Sequence, residues 1–321
     1  HPHIQPYRDL LNKKLLALPI LDQLDRDKYF VYLRNANKNI EIFREENIPL
    51  QAEVAILQQE YGKIVGAMAI DVDGKIYTLQ QATTFLQSHN RELRKEVFLK
   101  IQERRLQDKD LLDKLFTTLI ELRHKEAQNA GFDTFRDFRF KELGRFDYTK
   151  EDCFNFHEAV KQYVLPLVNE VLAKKKERLG VDSLRPWDLE AEPEGVEPLK
   201  PFSDSQELLE KSILCMKKLT PFFGECIEVM KTLGHLDLES RKGKAPGGYN
   251  CPLLETGAPF IFMNAVGQMH DVTTMVHEGG HAVHSFLVKN LELTRFKDYP
   301  IEIAEVASMT MELFTMDYWD T

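Results

Sequence analysis

The sequence predicts a mainly α-helical protein with a small β element. Three observations carry this reading: apolar residues recur at helical spacing through much of the first 180 residues, one pair of β-prone runs flanks an Asp-Gly dipeptide, and a short apolar run near residue 260 has strand character. At 321 residues the chain is long enough for two lobes, each with its own core.

The first distinctive element is "AMAIDVDGKIYTL", residues 67–79, where Asp73-Gly74 suits the positive φ angles of a tight hairpin turn. In "RELRKEVFLKIQERRL" the apolar Leu93, Val97, Phe98 and Ile101 share one face, with charges elsewhere. The run "LLDKLFTTLIELRHKEAQNAG" repeats that pattern and meets a stop at Gly131. Thr149 precedes a long helix whose stripe runs Phe156, Val160, Val164, Leu167 and Val171, and Pro166 inside that stripe predicts a bend.

Residues 181–204 hold four prolines, several acids and no periodicity, which reads as a boundary or surface crossover. We therefore expect a mostly helical N-terminal lobe over residues 1–200 and a second lobe over 201–321. Asp204 with Glu207 makes a capping-box start for a helix reaching about Leu233. The glycine-rich "ESRKGKAPGGYNCPLLETGAP" reads as loop, and "PFIFMN", residues 259–264, as a short strand.

Bulk properties narrow the function. A formal net charge of −9 argues against a nucleic-acid partner, since phosphate binding wants a basic face. The cluster "KKKER" at 174–178 sits among acids and reads as a solvated helix face. No apolar run approaches the ~18 residues of a membrane span, so no membrane role is expected. The opening "HPHIQPYRDLL" lacks the layout of a secretory signal, and the four cysteines form no C-x-x-C pair, which together predict a reduced, cytoplasmic protein.

The chemistry concentrates in "VHEGGHAVHSF", residues 276–286. On a helix, His277 and His281 project from the same face one turn apart and can share one tetrahedral Zn²⁺. Glu278 lies about 100° round the helix from His277, a placement that suits a general base acting on a water the metal activates. Gly279 and Gly280 each weaken a helix by ~1 kcal/mol relative to alanine, which makes sense where another backbone or a substrate approaches closely. Downstream, "PIEIAEVASMTMELF" reads as a second helix on which Glu302, Glu305, Ser308 and Glu312 share a face. A carboxylate from that face, turned to the two histidines, would complete a His₂Glu site with an open fourth position.

These residues resemble the M3 metallopeptidases, specifically the oligoendopeptidase F branch. The resemblance rests on "HEGGHAVHS" followed, 28 residues after His277, by the glutamate of "AEVAS", and on the lead-in "GKAPGGYN…PFIFMN…DVTTMVHE". The stretch "DGKIYTLQQATTFLQSHNRELRKEVF" is similar to that branch's helical region; the likeness extends over most of the chain and is most specific over 244–312. It implies two helical lobes around a deep cleft, one zinc ion held by His277, His281 and Glu305, and Glu278 as general base. It also implies that Ser308, Glu312 and His284 orient the ligands or pack beside them.

The implied activity is endopeptidase hydrolysis of short, unfolded oligopeptides. For substrate contacts the candidates are Gly247, Gly248 and Tyr249, on a loop able to close over a peptide, and Phe262 and Asn264, on a strand suited to main-chain pairing with one. An ordinary surface loop and an ordinary core strand remain the competing readings. Members of the family continue past the point where this sequence stops, 16 residues after Glu305, and a later segment supplies oxyanion-stabilising groups. We expect that part to come from a missing C-terminal segment or a second chain. Two other functions stay open: a non-catalytic peptide-binding or structural zinc protein, and a related exo-acting metallopeptidase.

Overall fold

The structure, a computed structural model, describes residues 2–320. It is mainly helical, with two small sheets. Its contacts divide the chain into two units: one comprises the chain up to Tyr61, Lys109–Phe154 and Leu293–Ile301, and the other Gly62–Asp108, Asn155–Glu292 and the chain from Glu302 on.

The first unit is a set of packed helices, chiefly Gln5–Leu16, Arg26–Ile42, most of Asn47–Gly66, Lys109–Asn129 and Phe135–Glu142. Helix Lys109–Asn129 ends where Gly131 takes φ +86 and Phe132 N–H bonds back to the Ala127 carbonyl at 2.9 Å, the stop that the sequence announces. Its core gathers Ala127, Ala130 and Phe138 against Ile42, Phe132 and Phe135. Buried Asn47 ties two helices, donating to the Glu126 carbonyl and accepting from the Asn129 amide.

The second unit carries the hairpin. Strands β1 (Ala69–Val72) and β2 (Lys75–Thr78) pair antiparallel, and Asp73 and Gly74 take φ +53 and +79 at the turn. Helix Arg91–Gln107 buries Val97 and Ile101 of the predicted stripe, each such residue stabilising by roughly 1.5–3 kcal/mol. The helix after Thr149 runs on through Pro166 but loses its regular ladder just before it: Lys150–Ala159 is followed by a π turn at Val160–Val164 and then by Leu165–Leu179. Proline lacks the N–H that would continue the ladder, and the wider turn accommodates the loss. Phe156, Leu167 and Val171 of its stripe are exposed.

One helix expected from Asp204 to Leu233 is two, Ser205–Leu219 and Pro221–Leu233. Thr220 between them is extended (φ −159, ψ 140), as a residue before proline prefers. Two strands lie where the sequence reads as loop or linker: β3 (Leu236–Glu239) and β4 (Tyr249–Cys251) flank β5 (Phe260–Ala265) in the order β3-β5-β4. Strand β5 runs parallel to β3 and antiparallel to β4. Because β5 is central, it is not the strand that an incoming peptide can extend; β4 holds an open edge. Ile261 and Met263 of β5 point into the main core, where they meet Met216, Ile227 and Met230 of the paired helices and Met275, Val276, Ala282, Val283 and Phe286 of helix Met269–Val288.

Candidate metal centre

Helix Met269–Val288, the histidine helix, is fixed at its start by Asp271, whose Oδ2 accepts from the backbone N–H groups of Val266, Gly267 and Gln268 at 2.8, 2.9 and 2.8 Å. With its apolar face in the core, His277 and His281 emerge side by side, ring centroids 4.9 Å apart and planes at 86°. Helix Ile301–Thr315, the glutamate helix, packs against it with Ser308 and Met311 buried. Gly280 makes that packing possible: a Cβ there would lie 2.7 Å from Ser308 Cα and 2.8 Å from the Ala307 carbonyl oxygen. The backbone approach that the two glycines announce is therefore real at Gly280. At Gly279 the neighbour is the flexible end of Met216, 3.2 Å away.

Glu305 Oε2 lies 3.3 Å from His277 Nε2 and 3.8 Å from His281 Nε2. One ligand atom from each of His277, His281 and Glu305 falls within 4.8 Å of the others, the one such grouping found among the described residues. A tetrahedral ion with bonds of about 2.0–2.1 Å needs donors roughly 3.3 Å apart, so this set fits a small divalent cation. On the far side of its ring, His277 Nδ1 sits 2.6 Å from Glu312 Oε1, which leaves Nε2 turned to the cluster. Ser308 Oγ donates to Glu305 Oε2 at 3.0 Å and steadies that carboxylate. Burial pushes the His281 imidazole below its usual pKa and so favours the neutral form a metal requires.

Glu278 is buried beside the cluster, and its Oε2 has no hydrogen-bond partner. Burial pushes its carboxyl up to about 7, against the pull of His277 and with a push from Glu305. The glycine-rich loop comes down on this residue: a Cβ on Gly248 would lie 3.5 Å from Glu278 Oε1 and 3.3 Å from Thr274 Cγ2. Asn250 Nδ2 donates to the Glu278 carbonyl at 3.4 Å.

The remaining candidate residues fall as follows. His284 lies three residues beyond His281 and outside the cluster. Tyr249 is half-exposed at 51% and stacks on Phe262, centroids 4.9 Å apart and planes at 13°. Asn264 Nδ2 donates to the carbonyls of Ala245 and Gly247, both at 2.9 Å, so its amide braces the loop. Gly247 takes φ +90 in that loop. Sequence reasoning does not single out Asp271, Asn250 or Lys244. An aspartate three residues after Gln268 is a capping signal that could have revealed the first; a lysine buried inside a loop gives no such warning.

Comparison with known proteins follows the same lines. The chain is 28% identical over 254 residues to an oligopeptidase, PepF, of Bacillus subtilis (strain 168), a match covering 77% of this chain and 36% of that protein. It is 25% identical to an oligoendopeptidase F homolog of Borreliella burgdorferi, over 96% of this chain and 52% of the relative. Among solved structures, PZ peptidase A with an inhibitor superposes with a TM-score of 0.93 at 27% identity, over 99% of this chain and 56% of the other. A Bacillus anthracis protein described as an oligoendopeptidase F gives the same TM-score at 26% identity, over 99% and 58%. The chain thus spans between about a third and a little over half the length of these relatives. The model of peptidase family M3 matches residues 84–321, a stretch that contains every residue of the cluster, and the chain belongs to that family.

Proposed function

We propose that the protein is a zinc-dependent endopeptidase that hydrolyses short, unfolded oligopeptides. The observation that carries this reading is the convergence of His277, His281 and Glu305 on one cation-sized space, with buried Glu278 beside it. Two imidazoles and a carboxylate suit Zn²⁺. When bound, the ion supplies Lewis acidity, which acidifies a water and polarises the scissile carbonyl.

Glu278 takes the proton of the attacking water at its unpartnered Oε2 and passes a proton to the leaving amine. Glu312 holds His277 in the tautomer that points Nε2 at the cluster, and Ser308 holds Glu305 Oε2 in register. An extended peptide adds to the open edge of β4, alongside Gly248 and Tyr249, so that its backbone passes over Glu278. Gly247 shapes that loop, Phe262 backs Tyr249, and Asn264 holds the loop from below. Four free cysteines fit a reducing compartment, the cytoplasm. No helix among the described residues is long and apolar enough to cross a membrane.

The glutamate helix turns Val306, Met309 and Leu313 outward, and the helix with the π turn exposes Phe156, Leu167 and Val171. We read these faces as covered by the part of the fold that the longer relatives have, supplied by a C-terminal segment or a second chain.

Zinc analysis together with an internally quenched nonapeptide tests the reading. One zinc per chain, lost in His281→Ala, with peptide cut at an internal bond, is the expected result. A chain that takes up no zinc would end the proposal. The same experiment separates the alternative of a zinc protein that binds peptides without cutting them. Stoichiometric zinc and peptide binding with no turnover would select it, whereas release of terminal residues alone would indicate exo-acting cleavage.

A further inference from the structure

Lys244 is a charged side chain where a loop residue would ordinarily be solvated. Its side chain is 1% exposed, and its Nζ lies within hydrogen-bond reach of four oxygens: the Asp237 carbonyl (3.0 Å), Asp237 Oδ1 (3.0 Å), the Glu239 carbonyl (2.8 Å) and the Met263 carbonyl. Three of these oxygens belong to β3 and one to β5, so a single ammonium, with three hydrogens to give, spans both strands from a residue on neither. The same Nζ stands 4.4 Å from the centroid of the Phe262 ring on which Tyr249 stacks.

The loop around Lys244 is held from other sides too. Gly243 N–H donates to the Gly66 carbonyl at 2.8 Å, and a Cβ on Gly66 would lie 2.7 Å from the Lys244 carbonyl oxygen, so the end of helix Asn47–Gly66 presses directly on the loop backbone. Asn264 takes the next two free carbonyls, of Ala245 and Gly247. What this clamp delivers is Gly248, with its Cα side turned to Glu278 Oε1, and then β4.

We propose that Lys244 is a positioning residue: its buried ammonium sets the height at which the glycine-rich loop and β4 lie over Glu278, and so places the peptide-binding edge without touching the peptide. The consequence for peptide binding rests on the endopeptidase reading; the hold on the loop does not. A buried charge is costly unless its hydrogen bonds are complete, and truncating it strands several buried carbonyls at once. The loop next to those carbonyls is where the structure gives way, while the cluster ligands, on two helices packed at Gly280, stay in place.

Three readouts on the full zinc-loaded chain test this: subtilisin cleavage within residues 242–250, zinc stoichiometry, and anisotropy of a fluorescein-labelled nonapeptide of alternating valine and serine. Lys244→Met is expected to open the loop to cleavage and weaken the peptide at least tenfold, with one zinc per chain retained. Leu209→Ala, a core truncation in the same unit, lowers the melting temperature but leaves the loop protected and peptide affinity unchanged. Lys244→Gln keeps two donors, falls between wild type and Lys244→Met, and serves where the methionine variant does not fold. A protected loop and unchanged affinity in the substituted chains would overturn the proposal, as would equal effects from Leu209→Ala. Wild-type chain that binds no peptide would remove the endopeptidase reading and the binding consequence with it, while the cleavage pattern still decides whether Lys244 holds the loop.

Discussion

Gly280 and Ser308 meet so closely that no side chain fits between them: the Cβ that Gly280 lacks would stand 2.7 Å from Ser308 Cα. This contact sets the separation of the histidine and glutamate helices, and thereby the 3.3 Å between His277 Nε2 and Glu305 Oε2. Gly280→Ala is therefore expected to push the helices apart, costing about 1–3 kcal/mol of stability and weakening zinc at least tenfold. Gly279→Ala meets the thioether end of Met216 at 3.2 Å and Ile227 Cδ1 at an ordinary 3.8 Å, with no backbone in the way, and gains helix propensity, so it stays within about 1 kcal/mol of wild type with zinc affinity intact. Chelator competition and thermal melts of the two variants give the comparison; equal zinc affinity in both would show that the contact does not govern the site.

Glu312 reaches the cluster only through His277 Nδ1, 2.6 Å away. Glu312→Gln removes the charge and leaves the tautomer less defined, and zinc affinity should fall about 10–100-fold. Ser308→Ala loses one hydrogen bond to Glu305 Oε2 and should cost less than Glu312→Gln. Titration with a zinc-competing dye ranks the three proteins, and the reverse ranking would contradict these roles.

Much of the centre is legible in the sequence because it lies within single helices, where spacing alone places residues on a face. His277, His281, Glu305, Ser308 and Glu312 are of that kind; spacing alone left Glu302, Glu305 and Glu312 equal as third donor, the resemblance pointed to Glu305, and it is Glu305 that groups with the two imidazoles. The hairpin is legible for a similar reason, since Asp73 and Gly74 carry the turn locally. Strands β3 and β4 are not: "LDLE" and "YNC" are too short and too mixed for period two to show, and each exists through pairing with β5. The break at Thr220 was available in Pro221 but hidden by the continuous apolar pattern on both sides. Lys244 is the clearest case of tertiary override, a charge buried because two strands bring oxygens to it.

Glu278→Gln keeps the shape and burial of the side chain but cannot accept the water proton. On the endopeptidase reading, turnover of a quenched peptide falls by a factor of about 10²–10⁴ or more, while zinc stoichiometry and peptide binding persist. Peptide cleavage at near-wild-type rate by the zinc-loaded variant would assign the base to another residue.

Far along the same unit, Asp188 predicts how stability responds to acid. Its carboxylate is fully buried and accepts from Arg91 Nε and Nη2, from Arg94 Nη2 at 2.9 Å and from the Arg185 N–H. Burial alone would raise its pKa, but the bonds from the two arginines hold it at about 2, against 3.8 for a free carboxyl. A folded pKa below the unfolded one means that this group's contribution is complete above about pH 4 and is lost as pH falls through about 2, an effect of about 2 kcal/mol. Asp188→Asn leaves buried Arg94 without its counter-charge and should cost about 3–5 kcal/mol near neutrality. The stability gap between wild type and Asp188→Asn should then narrow by about 2 kcal/mol between pH 5 and pH 2. Urea unfolding followed by the fluorescence of Trp187, which packs at 5.8 Å on Phe98 beside the bridge, measures that gap at each pH. A gap that stayed constant over this range would mean that the arginines do not hold the Asp188 proton off in the folded chain.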